Sequence, residues 1–130
     1  MRNNIFKEQF DNKFYSDHFG KKYLHKQKLI KNVNDIVSLE ILDDLLSKSN
    51  IWNKYNFIMM LDQKKISYND YSSMSLDVTG NTNRPNVNKV QKLVSKGASI
   101  ILNDIEKYNS NLLMIADELQ KLTQGRCQGN

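Results

Sequence analysis

The sequence is short of the residues that usually mark covalent cross-links or recognisable chemistry. Its single cysteine, Cys127, can form no internal disulfide, in keeping with a reducing compartment. Its five glycines stand apart from one another and build neither a phosphate loop nor a dinucleotide fingerprint. The two histidines, His18 and His25, lack further His, Cys, Asp or Glu at ligand spacing, which argues against a metal site. No apolar run approaches the roughly 20 residues that span a bilayer. The opening MRNNIFKEQF lacks the continuous apolar core of a secretory signal. A cytoplasmic protein without a membrane segment is the expectation.

At 130 residues the chain fits one domain, spanning 1–130, with enough length for a true core. The formal charge of +5 permits an anionic partner. The lysines are scattered, however, with only short pairs at Lys21–Lys22 and Lys64–Lys65, and there are three arginines. A solvated surface explains them, and nucleic acid is not expected as a direct partner. Cys127 reads as a small half-buried residue, since no helix N-terminus or paired base accompanies it. The Asp43–Asp44 pair falls on the wet side of a helix, where solvation keeps carboxylates ordinary.

Periodicity outlines the elements. Phe6, Phe10 and Phe14 recur four apart, with Phe19 five further on, and predict an amphipathic helix ending near Gly20. KKYLHKQKLI reads as an extended segment with a basic outer face. Ser38 suits the N-cap of a helix carrying Leu39, Leu42, Leu45 and Leu46, with Asn50 as a left-handed stop and Trp52 as an anchor behind it. Tyr55 to Leu61 and Ile66 to Tyr68 suggest a hairpin around a four-residue loop, Asp62–Lys65. Asn69 to Asn86 is polar and without period, which marks a functional or mobile loop. Pro85 suits the first position of a helix carrying Val87, Val90, Leu93 and Val94, which Gly97 ends.

The stretch from Ser95 to Asn130 has the clearest organisation. Ala98 to Leu102 is a buried strand, and Asn109 or Ser110 caps a helix with Leu112, Ile115, Ala116, Leu119 and Leu122 on one stripe. Gly125 closes it, and a further strand opens after it.

In order, these segments resemble the N-terminal half of the cupin-like JmjC oxygenases of the ribosomal oxygenase type. In that family an aromatic helix leads into a "KK-P-L" segment, a leucine helix and a hairpin. A "GATLVLN" strand, a long helix and an "NxYxTP" strand then follow. Lys21 and Lys22 match the lysines, Gly97 to Asn103 match the glycine strand, and Asn130 matches the first asparagine of the last motif. Tyr23 stands where the family commonly has proline, Phe19 where it often has tryptophan, and Asn109 to Asn111 replace a usual proline. The family's iron ligands, a His-x-Asp/Glu and a distant His, come after the position matching Asn130.

The resemblance implies an α+β fold in which helices flank the first strands of a cupin-like double-stranded β-helix, here an incomplete barrel. It implies the scaffold part of a protein hydroxylase using Fe(II) and 2-oxoglutarate, with a protein substrate of the ribosomal class and neither cofactor held by this chain alone. Asn130 is carried over as a substrate-cavity residue, no catalytic or metal residue is assigned, and the Asn69–Asn86 loop is a candidate rim of the substrate entry. Unpaired strand edges would favour homodimers or aggregates. The Ile100 strand should then not be paired at both edges by this chain's own segments. The alternative is a self-contained basic α+β module that binds RNA or a protein partner.

Overall fold

The computed structural model describes residues 6, 9–27, 33–78 and 80–130. It mixes helices with two small antiparallel sheets, as an α+β chain should. One sheet has the order β2-β1-β5, from Phe57–Leu61 (β1), Lys64–Lys65 (β2) and Ser99–Leu102 (β5). The other is the hairpin of Ser72–Asp77 (β3) and Gly80–Pro85 (β4). The helices are Asn12–Asp17 (α1), Leu39–Ser47 (α2), Tyr68–Tyr71 (α3), Val87–Val94 (α4) and Ser110–Thr123 (α5).

The core lies against one face of the three-stranded sheet. Strand alternation sends Phe57, Met59 and Leu61 of β1 to the same side as Ile100 and Leu102 of β5, because Met59 stands opposite Ile100 and Phe57 opposite Leu102. Leu45 of α2, Trp52, Tyr71 and Ala98 close over them. Trp52 is the anchor the sequence suggests: it is 1 % exposed, and its Nε1–H donates to the Leu45 carbonyl at 3.0 Å. The Tyr71 hydroxyl likewise donates to the Phe57 carbonyl at 3.0 Å. A buried ring with a matched polar tip adds apolar burial without an orphaned hydrogen-bonding group.

Several boundaries depart from expectation for identifiable reasons. The helix expected from Phe6 shrinks to α1, because the Asp11 carboxylate accepts the Phe14 N–H at 2.7 Å and caps a new start there. Phe6 precedes it in a turn of its own. Gly20, at φ +71°, ends the segment near the expected place. Of KKYLHKQKLI, residues 23–26 form no regular element and 28–30 lie outside the described residues.

Ser38 caps α2 through its hydroxyl, which accepts the Ile41 N–H. Asn50 is not its stop: the helix ends at Ser47, and Asn50 sits in a 3-10 turn, Ser49–Ile51. Leu39, expected on the packed stripe, is 82 % exposed, and Ile41 packs on the core instead. The loop between β1 and β2 has two residues, not four. Asp62 and Gln63 both take positive φ, 48° and 62°, in the tight geometry that matches strand twist, so Lys64 and Lys65 join the ladder.

The largest correction falls on Asn69–Asn86. It is a short helix followed by a paired hairpin, α3 and β3–β4, with Gly80 at φ +109° beside the turn. Tyr71 fixes its base in the core, and Tyr68 donates its hydroxyl to the Asn83 carbonyl. Pro85 ends β4 and is not helical; Asn86 is the N-cap of α4, accepting the Lys89 N–H. Gly97, at φ +93°, does follow α4 as its stop. In α5 the cap is Asn109, while Gln124 and not Gly125 takes the left-handed position, φ 53°. Residues 126–130 form no strand; they run beside the 3-10 turn Ile105–Lys107, where Gly129 N–H donates to the buried Glu106 carboxylate at 2.9 Å.

Candidate functional site: an open sheet edge above an apolar groove

β5 presents an open edge on its apolar strand. Its neighbour β1 takes one side, and among the described residues nothing pairs with the other. The ladder identifies which groups are left. Asn103 N–H donates to the Asn56 carbonyl, so by antiparallel alternation Ile101 and Ser99 also turn their polar groups towards β1. Ile100 and Leu102 therefore direct N–H and C=O outward. Both bear apolar side chains on the core face, so an added strand would extend the ladder and the core together.

The two edges of this sheet differ. At the far side β2 consists of exposed Lys64 and Lys65, a charged margin of the kind that discourages strand addition. β5, with the sequence SIIL, carries no lysine, proline or bulge. Its only guard is its short length.

Beside β5 opens a groove of about 550 Å³, bordered by Ile100. Its walls come from Val87, Val90 and Val94 on one side of α4 and Leu46 of α2, and Trp52 and Phe57 also line it. The one-turn spacing of the α4 valines puts them on a single stripe. Val87 and Val94 are still exposed. Asp43 of α2 is the one ionisable group among the lining residues. The groove is thus suited to apolar contact and holds no acid–base pair.

A second cavity, of about 510 Å³, lies between the Ser49–Ile51 turn and the β3–β4 hairpin and is more polar. Ser73, Ser75 and Asn86 line it with Arg84, whose guanidinium donates to the Trp52 carbonyl at 3.0 Å. That bond ties the hairpin to the core. No nucleophile with an adjacent base faces this space.

The remaining candidates lie apart. His18 stacks on Phe14 at an interplanar angle of 12°, and its Nδ1–H donates to the Tyr23 carbonyl. His25 is exposed. Among the described residues no group of three His, Cys, Asp or Glu converges as a metal site would require. Cys127 is half-buried, as read from the sequence, and Asp44 is paired with Lys48 on the exposed side of α2. Asn130 is exposed and lines neither cavity. Among the described residues no helix is long and apolar enough to cross a membrane.

Perturbed ionisation follows packing. Burial raises the phenols of Tyr68 and Tyr71 above the ordinary tyrosine value. The Asp17 carboxyl is lowered, first by the Ser16 hydroxyl that donates to it and then by Lys22 and Lys13. Sequence reasoning missed Glu106, Arg84 and the Tyr71 hydroxyl as tertiary ties, because each gains its partner only through the fold. Comparison with family models, with curated proteins and with solved structures returned no match.

Proposed function

We propose that this chain is the N-terminal scaffold part of an Fe(II)- and 2-oxoglutarate-dependent protein hydroxylase of the JmjC type. The single observation that carries the reading is the open edge of β5, a short apolar strand at the position of the family's glycine strand, with one side unpaired. The anchoring of Gly129 at Glu106 adds support, because it brings the last residues to the end where β5 finishes. In the proposal a strand continuing from there pairs with the open edge. On this reading the remainder of a double-stranded β-helix completes the sheet, and α2, α4 and α5 brace it from outside.

The residues present do not suit the iron. A facial triad needs two histidines and a carboxylate converging, and His18 is engaged with Phe14 and Tyr23, while among the described residues no three of His, Cys, Asp or Glu come together. No step of hydroxylation is therefore assigned to this chain. In the proposal iron and 2-oxoglutarate are held by residues outside it, the substrate is a protein side chain of the ribosomal class, and Asn130 borders the cavity at the junction.

The reading frame beyond Asn130 tests this. A His-x-Asp/Glu pair followed by a distant His is expected within the next stretch of coding sequence. A stop codon, or a continuation without such ligands, overturns the proposal.

A further inference from the structure

The N-terminal segment carries a surface that the scaffold reading does not use. Phe14 touches Phe10, Tyr15 and Phe19 at centroid distances of 4.6, 5.5 and 6.0 Å, so the rings form one continuous run. At its end the chain turns sharply: Lys21 and Lys22 both donate their backbone N–H to the His18 carbonyl, and His18 in turn holds the Tyr23 carbonyl. Phe19, Lys21, Lys22 and Tyr23 are thereby gathered on one tight turn. Tyr23 is 91 % exposed and Phe19 44 %.

The charge around these rings is one-sided. Residues 9–27 contain Lys13, Lys21, Lys22 and Lys26, all exposed, against Asp11 and Asp17. Asp11 is occupied in capping α1, and the Ser16 hydroxyl donates to Asp17 at 2.6 Å. Lys21 and Lys26 each give one donor to Ser16 and Gln9, leaving further N–H groups on each ammonium.

We propose that this turn binds single-stranded nucleic acid, with Tyr23 and Phe19 as stacking faces for bases and Lys13, Lys21, Lys22 and Lys26 as phosphate contacts. Exposed rings beside lysines are the two elements of a sequence-tolerant single-strand platform, since every base has a π-face and every nucleotide a phosphate. A duplex offers its bases only at groove edges, and this turn provides neither a helix nor a ribbon to enter one. A membrane surface is less well matched, because α1 has six residues and no long amphipathic helix lies here. An acidic peptide would use the lysines but leave the rings without partners. The proposal is independent of the oxygenase reading.

Fluorescence anisotropy of the full chain with a labelled twelve-residue oligouridylate, titrated across potassium chloride, tests it. Binding is expected to weaken with salt by a log–log slope of about −0.7 per phosphate contact, or about −2 to −3 in total. Tyr23→Ala should lower affinity about fivefold or more, and Tyr23→Phe should retain it, since the ring stacks and the hydroxyl does not. The Lys21→Ala/Lys22→Ala pair should flatten the slope by about 1.4. Because Tyr23 is almost wholly exposed, Tyr23→Ala should melt with the parent, which separates lost binding from lost fold. Lys64→Ala/Lys65→Ala, on the β2 margin, should bind as the parent does. The proposal is overturned by no binding at low salt, by an unaffected Tyr23→Ala, or by equal loss in the β2 pair. Equal or tighter uptake of duplex RNA, polyglutamate or phosphatidylserine vesicles would overturn it as well.

Discussion

Two aromatic regions of this molecule are built from similar residues and do different things with them. Around the three-stranded sheet, Trp52, Phe57 and Tyr71 are buried, and Trp52 and Tyr71 each donate to a backbone carbonyl. In the N-terminal segment Phe10, Phe14, Tyr15 and Phe19 touch one another, yet Tyr15 and Phe19 remain exposed. The first set is enclosed by segments distant in sequence, with Phe57 opposite Leu102. The second is local and is tied to α5 by Phe6 N–H to Glu118 and by the Tyr15 hydroxyl to the Leu122 carbonyl. Ring contact alone therefore does not make a core. Exclusion of water needs elements from several parts of the chain, and the segment lacking them keeps its rings available for a ligand.

Substitutions can break that contrast. Trp52→Ala should cost about 3–5 kcal/mol, through a cavity and an unmatched Leu45 carbonyl, read from the urea midpoint. Phe14→Ala, at the centre of the N-terminal run, should cost about 2 kcal/mol. If the two losses are equal, the N-terminal rings belong to the core and the distinction fails.

Tyr71→Phe should cost about 1 kcal/mol at neutral pH, because the Phe57 carbonyl loses its donor. It should also soften the alkaline limit. Burial raises the Tyr71 and Tyr68 phenols in the folded chain, so the unfolded chain loses those protons first as pH climbs past about 10. The stabilisation from keeping these phenols neutral is complete below that pH and declines above it. Parent stability should thus fall as pH rises above about 10, and Tyr71→Phe should fall less steeply; parallel curves would remove the phenol from the account. The smallest effect is expected at Leu39→Ala, within about 0.5 kcal/mol, since that side chain is mostly in water. A larger loss would place Leu39 in a buried contact that α2 does not show.

Much of the right-hand half of the chain was legible because local signals agreed there. Ala98–Leu102 gave a strand, the 112–122 stripe gave α5, and Gly97 ended α4, each from spacing and one punctuating residue. The misplaced boundaries share a cause: polar side chains near the element ends decided them. Asp11 restarted α1, and Asn86 took the cap of α4 and so left Pro85 outside the helix it was expected to begin, both by accepting a backbone N–H three residues on. The β3–β4 hairpin was hidden by its asparagines and serines. Its alternating Met74, Leu76 and Val78 before Gly80 were the available signal, weakened because Met74 and Leu76 stay exposed and the opposite strand is polar. Of the candidate site, the strand itself could be read, but not which edge stays open, because only pairing decides that. The groove was equally hidden, since α2 and α4 are brought to it by tertiary packing.

The unlike margins of the three-stranded sheet give it a direction. With lysines closing the β2 side and bare isoleucine and leucine backbone on the β5 side, further strands can be taken up on one flank only. Any addition must settle antiparallel or parallel to Ile100 and Leu102, with its apolar residues turned towards the groove. During synthesis β1 emerges with β2 well before β5, so its other side stays bare until Ser99–Leu102 covers it and passes the open flank outward; what reaches that flank next decides between orderly growth of the sheet and adhesion between neighbouring nascent chains.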